Sequence, residues 1–213
     1  LALIEQGCIC VPLNADRFHE QNALAKSALA NWIIEIDRED AVRIDPRQEA
    51  QGHELYDLLR GNGRPGIVFF TSGSTGVSKA VVHDLQKLLG KYAVKRHDLR
   101  TLAFLLFDHI GGFDTLFYVL SNGSALVIPE ARTPEVVCLA MEHHKVEVLP
   151  VSPSFLTLLL LSDSYVGHNL STLKYITYGA EVMTAATLAK CATVFPGVKM
   201  LQKYGTTEIG TMR

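Results

Sequence analysis

The sequence predicts an α/β protein with mainly parallel βαβ sheet layers and flanking helices. Short β-rich apolar runs alternate with helical patterns along the chain, most cleanly after residue 100. Polar clusters at 71–79, 178–181 and 204–208 fall where strands would end, which is where parallel sheets hold their ligands. No internal repeat or low-complexity tract interrupts the alternation.

In chain order, Leu1–Gly7 reads as the last turns of a helix with a glycine stop. Cys8–Leu13 is strand-like, His19–Ala30 helical, and Trp32–Ile36 and Ala41–Ile44 are short strands. Asp45–Pro65, rich in charge, Pro and Gly, surrounds a short helix at His53–Arg60. The apolar run Gly66–Phe70 is a buried strand, Lys79–His83 a second short strand and Leu85–Arg96 a helix. Strands then follow at Thr101–Leu106, Ala125–Ile128, Val146–Val151, Leu173–Thr177 and Val198–Gln202. Helices between them are expected at Phe113–Leu120, Pro134–His144, Pro153–Leu161 and Thr184–Thr193. The chain closes on Gly210–Arg213 with no capping or terminal element, so both ends read as cuts through a larger protein.

Composition is that of a folded globular chain, 48% hydrophobic and 20% charged, with ample length for a core. A net charge of −2 supplies neither a basic footprint for nucleic acid nor a polybasic face for a membrane. The longest apolar run, Phe155–Leu161, is interrupted by Thr157 and far too short to span a bilayer. Four cysteines form neither a disulfide framework nor a zinc spacing, which suits buried thiols in a reducing compartment, the cytoplasm.

Thr71, Ser72, Gly73, Ser74, Thr75, Gly76, Val77, Ser78 and Lys79 follow the strand at 66–70 directly. Glycines let the backbone approach a ligand, successive N–H groups form an anion nest, and hydroxyls and an ammonium reinforce it. That is chemistry for phosphate, although a Ser/Thr/Gly run also suits a plain surface loop. The Walker pattern fails, because Ser78 and Ala80 flank Lys79 where glycine and Ser/Thr would stand. The segment instead resembles the T-S-G-[ST]-T-G-x-P-K-G signature of the adenylate-forming superfamily, which includes acyl- and aryl-CoA ligases, luciferases and peptide-synthetase adenylation domains. It departs at Ser78 for proline and Ala80 for glycine.

Tyr204-Gly205-Thr206-Thr207-Glu208 follows the last strand; read plainly, it is a turn and a helix cap. It resembles the superfamily's Y-G-x-T-E motif at every defined position. The resemblance implies Tyr204 against adenine, Thr207 at the α-phosphate and Glu208 as the Mg²⁺ ligand. Tyr178-Gly179-Ala180-Glu181 is similar to the G-[GA]-E segment, so Gly179, Ala180 and Glu181 are expected to line the adenine pocket through their backbone. Phe107-Asp108-His109-Ile110-Gly111-Gly112 resembles the F-H-x-x-G segment of acyl- and aryl-CoA ligases. Alignment through Phe117 and Gly123 puts His109 at the gate of the acid pocket and Ile110 next to it. Amino-acid-activating members place an aspartate at that next position, to pair with the substrate ammonium. Isoleucine offers no charge, and a buried unpaired ammonium is costly, so the acid should lack an α-amino group. Asp108 and Asp114 stand close by in sequence. Leu1–Leu13 is similar to the family's L-A-x-x-x-x-G-x-x-x-V-P-L segment, and the resemblance runs to about residue 211.

The resemblance implies that residues 1–213 are an incomplete N-terminal nucleotide-binding domain of an adenylate-forming enzyme, without the C-terminal domain that carries the catalytic lysine. It implies attack of a carboxylate on the α-phosphate of Mg²⁺-bound ATP, release of pyrophosphate, and transfer of the acyl group to coenzyme A. Catalytic roles would fall to Lys79, His109, Thr207 and Glu208. The nucleotide would contact Thr71–Gly76, Lys79, Gly179–Glu181 and Tyr204–Thr207. Transfer to a carrier protein or an amine, or a non-catalytic binding module keeping the fold alone, are the competing expectations.

Overall fold

The computed structural model describes residues 1–15, 18–47, 52–71 and 78–212, with only the backbone of Phe18 and His19. Two compact units divide the chain, Leu1–Lys91 and Tyr92–Arg213.

The first unit begins with helix α1 (Ala2–Glu5), whose chain leaves through Gly7 at φ +70°, a left-handed turn that glycine takes without strain. Strand β1 (Ile9–Cys10), helix α2 (Phe18–Ser27), strands β2 (Trp32–Ile36) and β3 (Val42–Pro46) and helix α3 (Glu54–Gly61) follow. Strands β4 (Gly66–Phe70) and β5 (Ala80–Asp84) and helix α4 (Leu85–Gly90) complete it. β4 lies between β1, to which it is parallel, and β5, to which it is antiparallel. β2 and β3 form a separate hairpin, with Arg43 paired to Asp45 at 2.7 Å on one face. Ala28, Tyr56 and Val68 centre a small core, and the Tyr56 hydroxyl donates to the Ala28 carbonyl at 2.7 Å. Asp84 caps α4 through the Lys87 N–H and pairs with Arg64 at 2.7 Å. Desolvation pushes its carboxyl upward, but Arg64 and the Lys87 N–H overcome that and hold it below the usual range.

The second unit is the regular α/β part: β6 (Thr101–Leu102), α5 (Ile110–Asn122), β7 (Leu126–Val127), α6 (Pro134–His143), β8 (Val148–Val151), α7 (Pro153–Leu161), β9 (Tyr175–Tyr178), α8 (Ala185–Val194) and β10 (Lys199–Gln202). A hairpin of β11 (Gly205–Thr206) and β12 (Gly210–Thr211) ends it. The five-stranded sheet runs β10-β9-β8-β6-β7, with every pair parallel. From β6 the chain steps outward to β7, then returns past β6 to β8 and continues the other way. Right-handed crossovers therefore put α5 on one face and α6, α7 and α8 on the other, and α7 packs against both α6 and α8. Thr133, Ser152 and Thr184 each cap a helix by accepting an N–H three residues on, and prolines open α6 and α7. The main core joins Leu102, Val137, Met141, Leu149, Leu156, Leu159, Ile176 and Cys191. Burial pushes the Cys138 thiol up to about 11, so it packs as a small apolar group. Cys8 and Cys10 are only half-buried, unlike the buried thiols expected of all four.

At the amino ends of the strands Glu147 is the joint. Its carboxylate takes Lys174 Nζ at 2.7 Å and the Arg100 N–H at 3.0 Å, from the residues preceding β9 and β6. Desolvation raises its pKa, and Lys174 and Arg100 more than reverse this, so the net shift is downward. A depressed carboxylate contributes stability above its unfolded pKa and loses it as pH falls through the folded one. Glu147→Leu is therefore expected to lower stability by about 2 kcal/mol at neutral pH, the partners being half-exposed. The deficit should shrink in acid below the ordinary carboxylate range, read as denaturant midpoints at the two pH values.

Several boundaries differ from expectation. β6 stops at Leu102 instead of Leu106, because its neighbour β8 carries Pro150, which has no N–H to extend the ladder. α4 ends at Gly90, well short of Arg96. α5 begins at Ile110 instead of Phe113, since Gly111 and Gly112 are helical. Thr206-Thr207-Glu208 caps no helix: it turns the β11–β12 hairpin, and Gly210–Thr211 is thus a paired strand where no terminal element was expected. Among the described residues no helix is long and apolar enough to cross a membrane.

Candidate functional site

In the first unit, Thr71 and Lys79 stand at the end of the β4–β5 ladder where the two strands are connected. The Thr71 N–H donates to the Lys79 carbonyl at 3.0 Å and the Lys79 N–H to Thr71 Oγ1 at 3.4 Å. Pairing thus continues one step past Phe70 and Ala80, and the Lys79 side chain is exposed. Ser72, Gly73, Ser74, Thr75 and Gly76 lie outside the described residues.

In the second unit, the carboxyl ends of β9 and β10 bring two sequence-predicted segments side by side. Gln202 is in register with Tyr178, and the Lys203 N–H donates to the Tyr178 carbonyl at 2.7 Å. Gly179 follows, so close to the Lys203 carbonyl that a Cβ there would sit 2.5 Å from the oxygen. Ala180 takes φ +66°, a left-handed conformation costly to a residue with a Cβ. The Glu181 carboxylate turns away to the start of α7, accepting the Ser154 N–H at 2.9 Å and its hydroxyl at 2.5 Å. Its charge thereby sits at a helix N-terminus. Tyr204 is exposed, its carbonyl taking the Met212 N–H at 2.9 Å, and Thr207 and Glu208 occupy the hairpin turn.

His109 is the N-cap residue of α5, its ring half-exposed and its Nε2 3.7 Å from Asp108 Oδ1. Ile110 is the first helical residue. α5 also packs against β12, so the helix that carries His109 touches the hairpin that carries Glu208. The loop from β6 to α5 leaves the sheet where the strand order reverses, between β6 and β8. Open α/β sheets place ligand crevices at such switch points. Strand order was not legible in the sequence, and neither was the partner of Asp114: this buried carboxylate meets Lys203 Nζ at 3.5 Å, across 89 residues of chain.

One exposed carboxylate in a turn beside threonine hydroxyls fits the needs of Mg²⁺, which binds through one or two carboxylates and fills its remaining positions with phosphate oxygens and water. Glu208 and Thr207 are those residues here. Among the described residues no three His, Cys, Asp or Glu side chains gather as a metal cluster.

An α/β sheet of this kind holds its ligands in the crevice beyond the carboxyl ends of its strands. The chain belongs to the AMP-binding enzyme family, whose model matches residues 1–212. It is similar to 4-coumarate–CoA ligase-like 9 of Arabidopsis thaliana, 28% identical over 87% of this chain and 34% of that protein. It is also similar to L-proline–[L-prolyl-carrier protein] ligase of Streptomyces coelicolor, 31% identical over 68% of this chain and 29% of that one. Among solved structures, the luciferase-like enzyme of the nonluminescent mealworm Zophobas morio superposes with a TM-score of 0.61 and 25% identity, over 70% of this chain and 36% of that one. The chain thus spans about a third of the length of these relatives.

Proposed function

We propose that this chain is the nucleotide-binding part of an enzyme that activates a carboxylic acid lacking an α-amino group. The acid's carboxylate attacks the α-phosphate of ATP, the bond from that phosphorus to the oxygen bridging the α- and β-phosphates breaks, that oxygen leaves as part of pyrophosphate, and an acyl-adenylate forms. Thr71 and Lys79, with the intervening Ser72–Gly76, hold the β- and γ-phosphates. The backbone of Gly179–Glu181 and the ring of Tyr204 hold the adenine, with Gly205 and Thr206 completing the turn. Thr207 donates to the α-phosphate, and Glu208 is the ligand for Mg²⁺, which would offset the phosphate charge. His109 gates the acid pocket. The protein's share of the catalysis is positioning and charge complementarity.

The observation that carries this reading is the side-by-side placing of Gly179–Glu181 and Tyr204–Glu208 at neighbouring strand ends in a chain of this family. The absence of an α-amino group is supported by Ile110, and by Asp114 being engaged with Lys203 and Tyr92 instead of standing open to a substrate ammonium. Transfer of the acyl group to coenzyme A follows the ligase named first above. A carrier protein as acceptor is the second reading, supported by the similarity to the prolyl-carrier ligase.

The test is carboxylate-dependent exchange of pyrophosphate into ATP by the full-length protein over a panel of acyl, aryl and amino acids. Exchange with acyl or aryl acids is expected. Lys79→Ala should lower kcat/KM for ATP by about 10²-fold, the scale of one lost electrostatic stabiliser of a transition state. No exchange with any acid, or exchange with amino acids alone, would sink the reading. Thiol dependence of product release then separates coenzyme A from a carrier.

A further inference from the structure

Asp114, Lys203 and Tyr92 form a polar cluster that the proposed chemistry leaves unused. Asp114 lies one turn beyond Ile110 on the same face of α5, and it is buried. Its Oδ1 accepts the Tyr92 hydroxyl at 2.5 Å, and its Oδ2 lies 3.5 Å from Lys203 Nζ. Tyr92 is itself buried and stacks on Phe117 of the same helix, with ring centroids 6.4 Å apart. Lys203 is the joint between β10 and Tyr204. Its N–H is bonded to Tyr178 and its carbonyl presses on Gly179, so its main chain is held by the end of β9. Its side chain ties that joint to α5.

A buried carboxylate demands partners, and removing one leaves a charge that the interior tolerates poorly. The pair therefore favours one setting of α5 against the end of β10. α5 carries His109 and Ile110 at its start, and the residues after Lys203 carry Thr207 and Glu208. We propose that Asp114 and Lys203, steadied by Tyr92, are positioning residues that hold the helix of the acid gate in register with the nucleotide hairpin. This rests on the proposed function above. Neither residue touches the reacting atoms; they act by fixing the distance between the groups that do, and a displacement on the scale of 1 Å in such a site lowers rate about 10²-fold.

The experiment compares Asp114→Asn, Lys203→Met, the double variant and Lys203→Arg in the full-length protein. Amide hydrogen exchange across 204–211 is read beside pyrophosphate-exchange kinetics. Each neutral variant is expected to speed exchange in 204–211 while β8 and β9 stay protected. It should also raise KM for acid and for ATP together and lower kcat about tenfold or more. The double variant should lose no more than the worse single one, as for two halves of one interaction, and Lys203→Arg, which keeps the charge, should recover most of the loss. Wild-type protection and kinetics in either single variant would overturn the proposal, as would losses that multiply in the double. If the wild type exchanges no pyrophosphate, the functional reading falls separately, and hydrogen exchange at 204–211 alone decides this one.

Discussion

Replacing Gly112 by alanine is expected to unseat the start of α5, and with it His109 and Ile110. A Cβ at 112 would lie 2.0 Å from the Leu106 carbonyl oxygen, 2.4 Å from its carbon and 2.8 Å from the Leu105 oxygen. All three are main-chain atoms of the segment that leads out of β6, so no side chain can turn aside to make room. Phe113 and Val119 are buried and hold the helix in place. Helix propensity favours alanine over glycine by about 1 kcal/mol, far less than an overlap of this depth. The expected net loss is about 3 kcal/mol or more, in the range of severe overpacking. Gly111→Ala is the control: its Cβ would meet only Leu105 Cδ1 at 3.3 Å, a side-chain end that can rotate. That variant should stay within about 1 kcal/mol of the parent. Urea midpoints of the two variants check this directly. Equal midpoints would mean that α5 is free to slide and that Gly112 is not what seats it.

The same glycines explain what was and was not legible in the sequence. Strands at 66–70, 146–151, 173–177 and 198–202 were readable as apolar runs, and the structure keeps them as Gly66–Phe70, Val148–Val151, Tyr175–Tyr178 and Lys199–Gln202. The start of α5 was not readable. Gly111-Gly112 has the lowest local preference for helix short of proline, and only the close approach to Leu106 explains its place there. The β11–β12 hairpin was hidden for a related reason. Thr-Thr-Glu is good cap chemistry, and what makes it a turn is the pairing of Gly205 with Thr211, which no local pattern announces. Candidate site residues were visible as small and polar clusters after apolar runs. Their supports were not: Lys203 reads as an ordinary exposed lysine until α5 brings Asp114 to it. Strand order is likewise a long-range property, so the reversal at β6, which places the His109 loop between diverging crossovers, could come only from the fold.

Glu208→Gln is expected to have the largest effect on activity of any single change in the hairpin. Glu208 is exposed in a three-residue turn between β11 and β12, so glutamine keeps its size and leaves the main-chain pairing of Gly205 with Thr211 intact. Stability should therefore move by no more than about 1 kcal/mol, the scale of one exposed polar contact. What changes is charge. A carboxylate oxygen is a hard ligand suited to Mg²⁺, and an amide oxygen a weaker one. Under the proposed function, kcat for pyrophosphate exchange should fall by about 10²–10³-fold, the scale of one lost electrostatic stabiliser of a transition state. The Mg²⁺ concentration for half-maximal rate should rise at the same time, whereas Thr207→Ala, which removes a neutral donor, should lower kcat without shifting the Mg²⁺ dependence. A Glu208→Gln protein with the parent's rate and Mg²⁺ dependence would remove Glu208 from the metal site. The metal would then have to be carried by the phosphates alone or by a carboxylate elsewhere in the full-length protein, and Asp108, which is already beside His109, would be the next residue to replace.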